Sequence, residues 1–219
     1  MVWVGQFGIA DGQALEETPW VGLYPDPHPD RDLASDLYLI VDPALPGSEE
    51  FVGEMKDAIG DMFHETKFTV TGGILRALRS AHENLMDWNK RSLKEHRVAA
   101  GISCVAVQDD EAFVAQVGPA RAVYLHGGEI EAVEPGVIDA KEPFGLEEDF
   151  YPEFRRFELG SGDRLLLFSP TLAEPLGGPE LAATLSLAGE QALPALYEKA
   201  KGIENCGAIL IAAAPAEAE

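Results

Sequence analysis

Three apolar runs stand close together between residues 98 and 126: VAAGISCVAVQ, AFVAQVG and ARAVYLH. Asp109-Asp110-Glu111 joins the first two, and Gly127-Gly128 closes the third. Strand-like runs separated by such short turn segments read as antiparallel neighbours. A sheet built this way hides its apolar face only if another layer covers it, so the rest of the chain must supply that layer.

It does so with both strands and helices. VWVGQFGI (residues 2–9) alternates as an opening strand, and LYLIVD (37–42) is a short strand. EIEAVE, EFRRFEL, LLLF and GAILIAAA add four more. Ser48 ahead of Glu49-Glu50 reads as a helix N-cap with acids in the first turn, which predicts a helix over about 49–63. Between residues 69 and 93, Ile74, Leu75, Leu78, Ala81, Leu85 and Trp88 recur at steps of three or four, the stripe of a long amphipathic helix. ELAATLSLA and EQALPALYEKA give a second pair of helices. Helix pairs set between runs of antiparallel strands predict an α+β fold, a four-layer αββα sandwich of two antiparallel sheets flanked by helix pairs. One domain over 1–212 and a frayed Ala/Glu tail over 213–219 are expected. The region after the first strand reads as loop, with an acidic surface loop at DPHPDRDLASD and a possible docking segment at TPWVGLY.

Lys and Arg number 16 against 38 Asp and Glu, a net charge of −22, and that field repels nucleic acid and anionic membrane surfaces. No apolar run is long enough to span a bilayer, and MVWVGQFGIADGQ lacks the basic and apolar regions of a signal peptide, so the cytoplasm is expected. Cys104 and Cys206 lie inside apolar runs and read as small core residues. No CxxC, HxxxH or HExxH spacing supports a zinc site. His64, His82, His96 and His126 are scattered and read as surface or helix-face residues, as do Arg76 and Arg79, while Trp3, Trp20 and Trp88 read as core or half-buried anchors.

The exit from one strand is unusual. In LGSGDRLLLFSPTL a turn leads into the buried run Leu165-Leu166-Leu167-Phe168, which ends in Ser169-Pro170-Thr171. This string resembles the L..GD.LLL.SDGL motif of the PPM-type, or type 2C, metal-dependent protein serine/threonine phosphatases. AAGISCVAV with AFVAQVGPARAVYLHGGEIEAVEP is similar to that family's GTT.V.A and V.NVGDSR.YL...G....LT, and IENCGAILIA resembles its DN.T.IVV. The agreement runs from about residue 37 to 212.

The resemblance implies two magnesium or manganese ions held by aspartates, sharing a water that attacks phosphorus. The family's DGMGG falls on DPALPG, which keeps Asp42 and puts Pro43 where a glycine carbonyl would serve. SDG falls on Ser169-Pro170-Thr171, so the metal-binding Asp is Pro170. DN falls on Glu204-Asn205, which keeps a carboxylate one methylene longer. In GDSR the Asp is Pro119 and the Arg is Arg121. Asp42 and Glu204 are therefore vestigial ligand positions and Pro170 a lost one, with no catalytic, cofactor-binding or metal residues expected. The implied protein is a catalytically inactive pseudophosphatase, a protein-binding or regulatory module without cofactor, monomeric or weakly dimeric. The alternative is an active phosphoserine/phosphothreonine phosphatase holding Mn or Mg weakly in a rearranged site that recruits Asp30, Asp32 or Asp36. An N-terminal-nucleophile hydrolase would need Ser, Thr or Cys at its mature N-terminus, which Met1-Val2 does not offer.

Overall fold

The computed structural model describes residues 2–29, 34–65, 69–136 and 141–214. In chain order the elements are β1 (Val2–Ala10), β2 (Gln13–Leu15), β3 (Val21–Tyr24), β4 (Asp36–Pro43), α1 (Glu49–His64), α2 (Val70–Arg91), β5 (Ala100–Gln108), β6 (Glu111–Val117), β7 (Arg121–His126), β8 (Glu129–Val133), β9 (Glu153–Glu158), β10 (Arg164–Phe168), α3 (Glu180–Leu185), α4 (Gly189–Ala200) and β11 (Cys206–Ala213). One sheet has the order β2-β1-β11-β10-β7-β8 and the other β3-β4-β5-β6-β9. Every ladder is antiparallel. The architecture is the expected α+β sandwich of two antiparallel sheets with helices outside.

Side-chain alternation explains the continuous apolar runs. Leu165 and Leu167 of β10, with Ile209 and Ile211 of β11, point into the core between the sheets and towards α1 and α2. Leu166 and Phe168, with Ala208 and Leu210, point the other way, onto a second core closed by Leu181, Leu185, Ala192 and Leu196 of α3 and α4. Each strand thus serves two layers, and along Leu165–Phe168 and Ala208–Ile211 both faces are apolar.

Five local expectations are corrected. Ser48 does not cap α1; its hydroxyl accepts the Ala99 N–H at 3.0 Å instead, tying the helix start to the entry of β5. TPWVGLY is not loop throughout: Val21–Tyr24 forms β3, with Trp20 and Val21 buried. On α2 the buried stripe lies one position round from the apolar reading. It takes in Ala77, His82 and Asn89, while Trp88 is 50% exposed. His82 is buried rather than at the surface. β11 continues through the buried Ala213, so the expected tail starts later, and residues 215–219 lie outside the described residues.

Candidate functional site

The sheets meet at one end, where β4 and β10 finish and β5 and β11 begin. Register places Asp42 opposite Gly101 and Phe168 opposite Ala208. Gly101 is required here, because a Cβ on it would lie 2.5 Å from the Pro119 carbonyl oxygen. Gly207 is likewise required, since its Cβ would lie 2.4 Å from Val21. The Trp20 indole beside it donates to the Cys206 carbonyl at 2.9 Å, so β3 of one sheet closes directly over the first residues of β11 in the other.

Asp42 is buried in this seam. The Ser169 hydroxyl oxygen accepts the Gly207 N–H at 2.9 Å and is hydrogen-bonded to the Asp42 carboxyl group. One short chain of polar groups therefore joins the two sheets. Burial pushes the Asp42 carboxyl up to about 7, and the Ser169 bond opposes this only in part. The adjoining Cys206 thiol is pushed up to about 11, first by burial and then by the Asp42 charge. It is the protonated, packed cysteine that the sequence implied, not a nucleophile.

The other implied positions lie around this pair without converging on it. Pro170 opens a single 3-10 turn, Pro170–Leu172, at the position where a helical turn leaves an N–H unused, and its neighbour Leu172 is fully buried. The abrupt exit from β10 is thus a well-formed strand-to-turn junction. Glu204 is exposed, and its backbone carbonyl accepts Gly12 N–H at 2.9 Å. Pro119 is exposed, and Arg121 pairs with Glu134. Asp36 sits at the opposite end of β4 from Asp42, six residues or about 20 Å away. Its carboxylate accepts Asp26 N–H at 2.8 Å and Tyr38 O–H at 2.9 Å, so it cannot join a site at Asp42. Asp30 and Asp32 lie outside the described residues.

Among the described residues, no three His, Cys, Asp or Glu side chains are grouped as a metal site would require. Hard divalent cations need several anionic oxygens directed at one point. A single buried carboxyl already bonded to Ser169, a proline and an exposed glutamate do not fit a pair of such ions.

Two features escaped the sequence reading. His82 stacks on Phe150 and meets Phe144 edge-on, both at 5.1 Å. Among the described residues neither ring nitrogen reaches a partner at hydrogen-bonding geometry, although the Glu147 and Glu148 backbone lies near enough to oppose the downward shift that burial imposes. A groove of about 540 Å³ is lined by Met62, Leu75, Arg76 and Arg79. It lies at the far end of α1 from the Asp42 seam and is no part of that site.

No protein-family model matches the sequence, and no curated protein matches it. Solved structures do. A bacterial serine phosphatase matches with a TM-score of 0.79 at 14% identity, covering 100% of both chains. Stp1, a serine/threonine phosphatase from Staphylococcus aureus, matches at 0.76 and 15% identity, covering 99% of this chain and 96% of its own. PppA from Pseudomonas aeruginosa matches at 0.73 and 16% identity, covering 96% of this chain and 97% of its own. The fold of this chain is that of the PPM-type serine/threonine phosphatases.

Proposed function

We propose that this chain is a pseudophosphatase, a PPM-fold protein that binds another protein and does not hydrolyse phosphoesters through paired cations. The observation that carries the reading is that the three implied ligand positions do not converge: Asp42 is buried in the seam, Pro170 opens a turn and Glu204 is exposed. A two-cation mechanism needs compact anions on both sides of the attacking water. Pro170 supplies no oxygen ligand from its side chain, and Glu204 faces solvent. Among the structural neighbours, PppA is a key regulatory component of T6SS in Pseudomonas aeruginosa; a regulatory role is what we carry over to this chain, and its exercise by binding is our own reading of the substituted positions. The cytoplasm is the compartment assigned on this reading; no helix among the described residues is long and apolar enough to cross a membrane.

The test is hydrolysis of p-nitrophenyl phosphate and of a phosphothreonine peptide with excess manganese. The expected result is no turnover above that of buffer with manganese. Manganese-dependent turnover that disappears in Asp42→Ala would overturn the proposal and establish the active alternative.

A further inference from the structure

Residues 88–97 read WNKRSLKEHR. Lys90, Arg91, Lys94 and Arg97 place four of the chain's 16 basic residues in this stretch of a protein with net charge −22. All four side chains are exposed. Lys90 approaches Glu148 at 3.9 Å, and Arg91, Lys94 and Arg97 make no ion pair among the described residues. Trp88 and Leu93 are 50% and 65% exposed, among the most exposed large apolar side chains of the fold.

The stretch is held in place rather than loosely draped. At its base the buried Asn89 amide donates to the carbonyls of Val98 and Gly145, both at 2.7 Å, and accepts the Val98 N–H at 2.8 Å. These bonds close residues 90–97 into a loop whose ends cannot separate. Trp88 lies against Phe51 of α1 with ring centroids 5.0 Å apart, which fixes the indole while leaving half of it in water. Ala99, just beyond the loop, donates to Ser48 and accepts from Ala44, so the loop stands at the same end of its sheet as Asp42.

We infer that this clamped loop is a docking surface for an acidic polypeptide segment carrying an apolar anchor residue. The inference rests on the binding role proposed above and gives it a surface and a partner chemistry. Charge complementarity selects the acidic component: over Asp87–Arg97 four cations stand against two acids, Asp87 and Glu95, and with Lys90 facing Glu148 the local positive excess lies on Arg91, Lys94 and Arg97, while acids beyond a Debye length of about 8 Å are screened. The fixed Trp88 and the exposed Leu93 select the apolar component, since a positioned aromatic loses little entropy on binding. A short peptide segment fits the loop alone. A long nucleic acid or a membrane would extend over the acidic remainder of the surface and be repelled.

The probe is a short fluorescein-labelled peptide rich in Glu with one Leu and one Phe, titrated into the full chain in the presence of EDTA. Amide and indole shifts are followed by NMR. Shifts confined to Trp88–Arg97 and Phe51 are expected. Trp88→Ala and the charge reversal Lys90→Glu/Lys94→Glu/Arg97→Glu should each weaken binding at least about tenfold, with circular dichroism unchanged and Trp88→Tyr largely restoring affinity. A Glu-only peptide should bind at least about tenfold more weakly than the probe. Absence of shifts in this loop, or an unchanged affinity in both variants, overturns the inference. Tighter binding of a DNA oligonucleotide or of phosphatidylserine vesicles at the same loop, or concentration-dependent self-association through it, also overturns it. Manganese-dependent hydrolysis in the separate assay would remove the inactive reading and leave the docking surface standing. Lack of peptide binding without hydrolysis would remove the docking surface alone.

Discussion

Asp42 has a folded-state titration near 7 against an ordinary value of 3.8, and the cause is burial. The folded chain therefore holds this proton more tightly than the unfolded chain does. The stability linked to it is fully present below about 3.8 and is lost as pH rises towards 7, with no further change above. Three pH units correspond to about 4 kcal/mol for a group this buried. Asp42→Asn, which keeps the shape and a hydrogen bond to Ser169, is expected to remove that loss. Urea unfolding at pH 5 and pH 8 checks it: the variant's gain on the parent should be larger at pH 8 than at pH 5 by about 2–3 kcal/mol. Some of this was legible in the sequence. Asp42, Pro170 and Glu204 could be placed by motif because the strings around them are strand runs with fixed order. The Ser169 bond could not be read, because it joins residues 127 positions apart through a close approach of two sheets. His82 was missed because a histidine among Arg and Glu on a helix reads as solvated, and only the arrival of Phe144 and Phe150 buries it.

At the scale of elements, the long and periodic segments were the legible ones. α1 was expected over 49–63 and spans Glu49–His64, and α2 spans Val70–Arg91 within the 69–93 stripe. β2 and β3 were missed because three or four residues carry too little alternation to stand out beside Pro, Gly and Asp; their pairing with β1 and β4 makes them strands. The α2 stripe was misplaced for a related reason. The apolar reading put Trp88 on the stripe as a core or half-buried anchor; it is half-exposed against Phe51, and the polar Asn89 faces inward, where backbone groups of Val98 and Gly145 await it. Asn89→Ala would leave those groups buried without partners, a cost of about 3 kcal/mol. Guanidinium unfolding should show a lower midpoint with an unchanged slope, and hydrogen exchange should rise first in residues 90–98. Asn89→Asp, which keeps the acceptor for Val98 N–H but sets a buried carboxylate against the Val98 and Gly145 carbonyls, should be at least as destabilising as Asn89→Ala.

For the molecule as a whole, the layer order was readable because every strand of the two cores obeys one of two burial rules: apolar on both faces, or on one. The net charge of −22 was also readable and has a bulk consequence. Self-repulsion of this size opposes compactness, so added salt should stabilise the fold by screening. The thermal midpoint is expected to rise as sodium chloride increases from low to physiological strength, and more in the parent than in a variant with several surface Glu changed to Gln. The seam between the sheets has a different consequence. Gly207, Ser169 and Asp42 stitch the layers together with the chain's own atoms. Chelation by EDTA should therefore leave the melting curve where it was. On the inactive reading proposed above, such a protein is expected to mature in a manganese-starved cell.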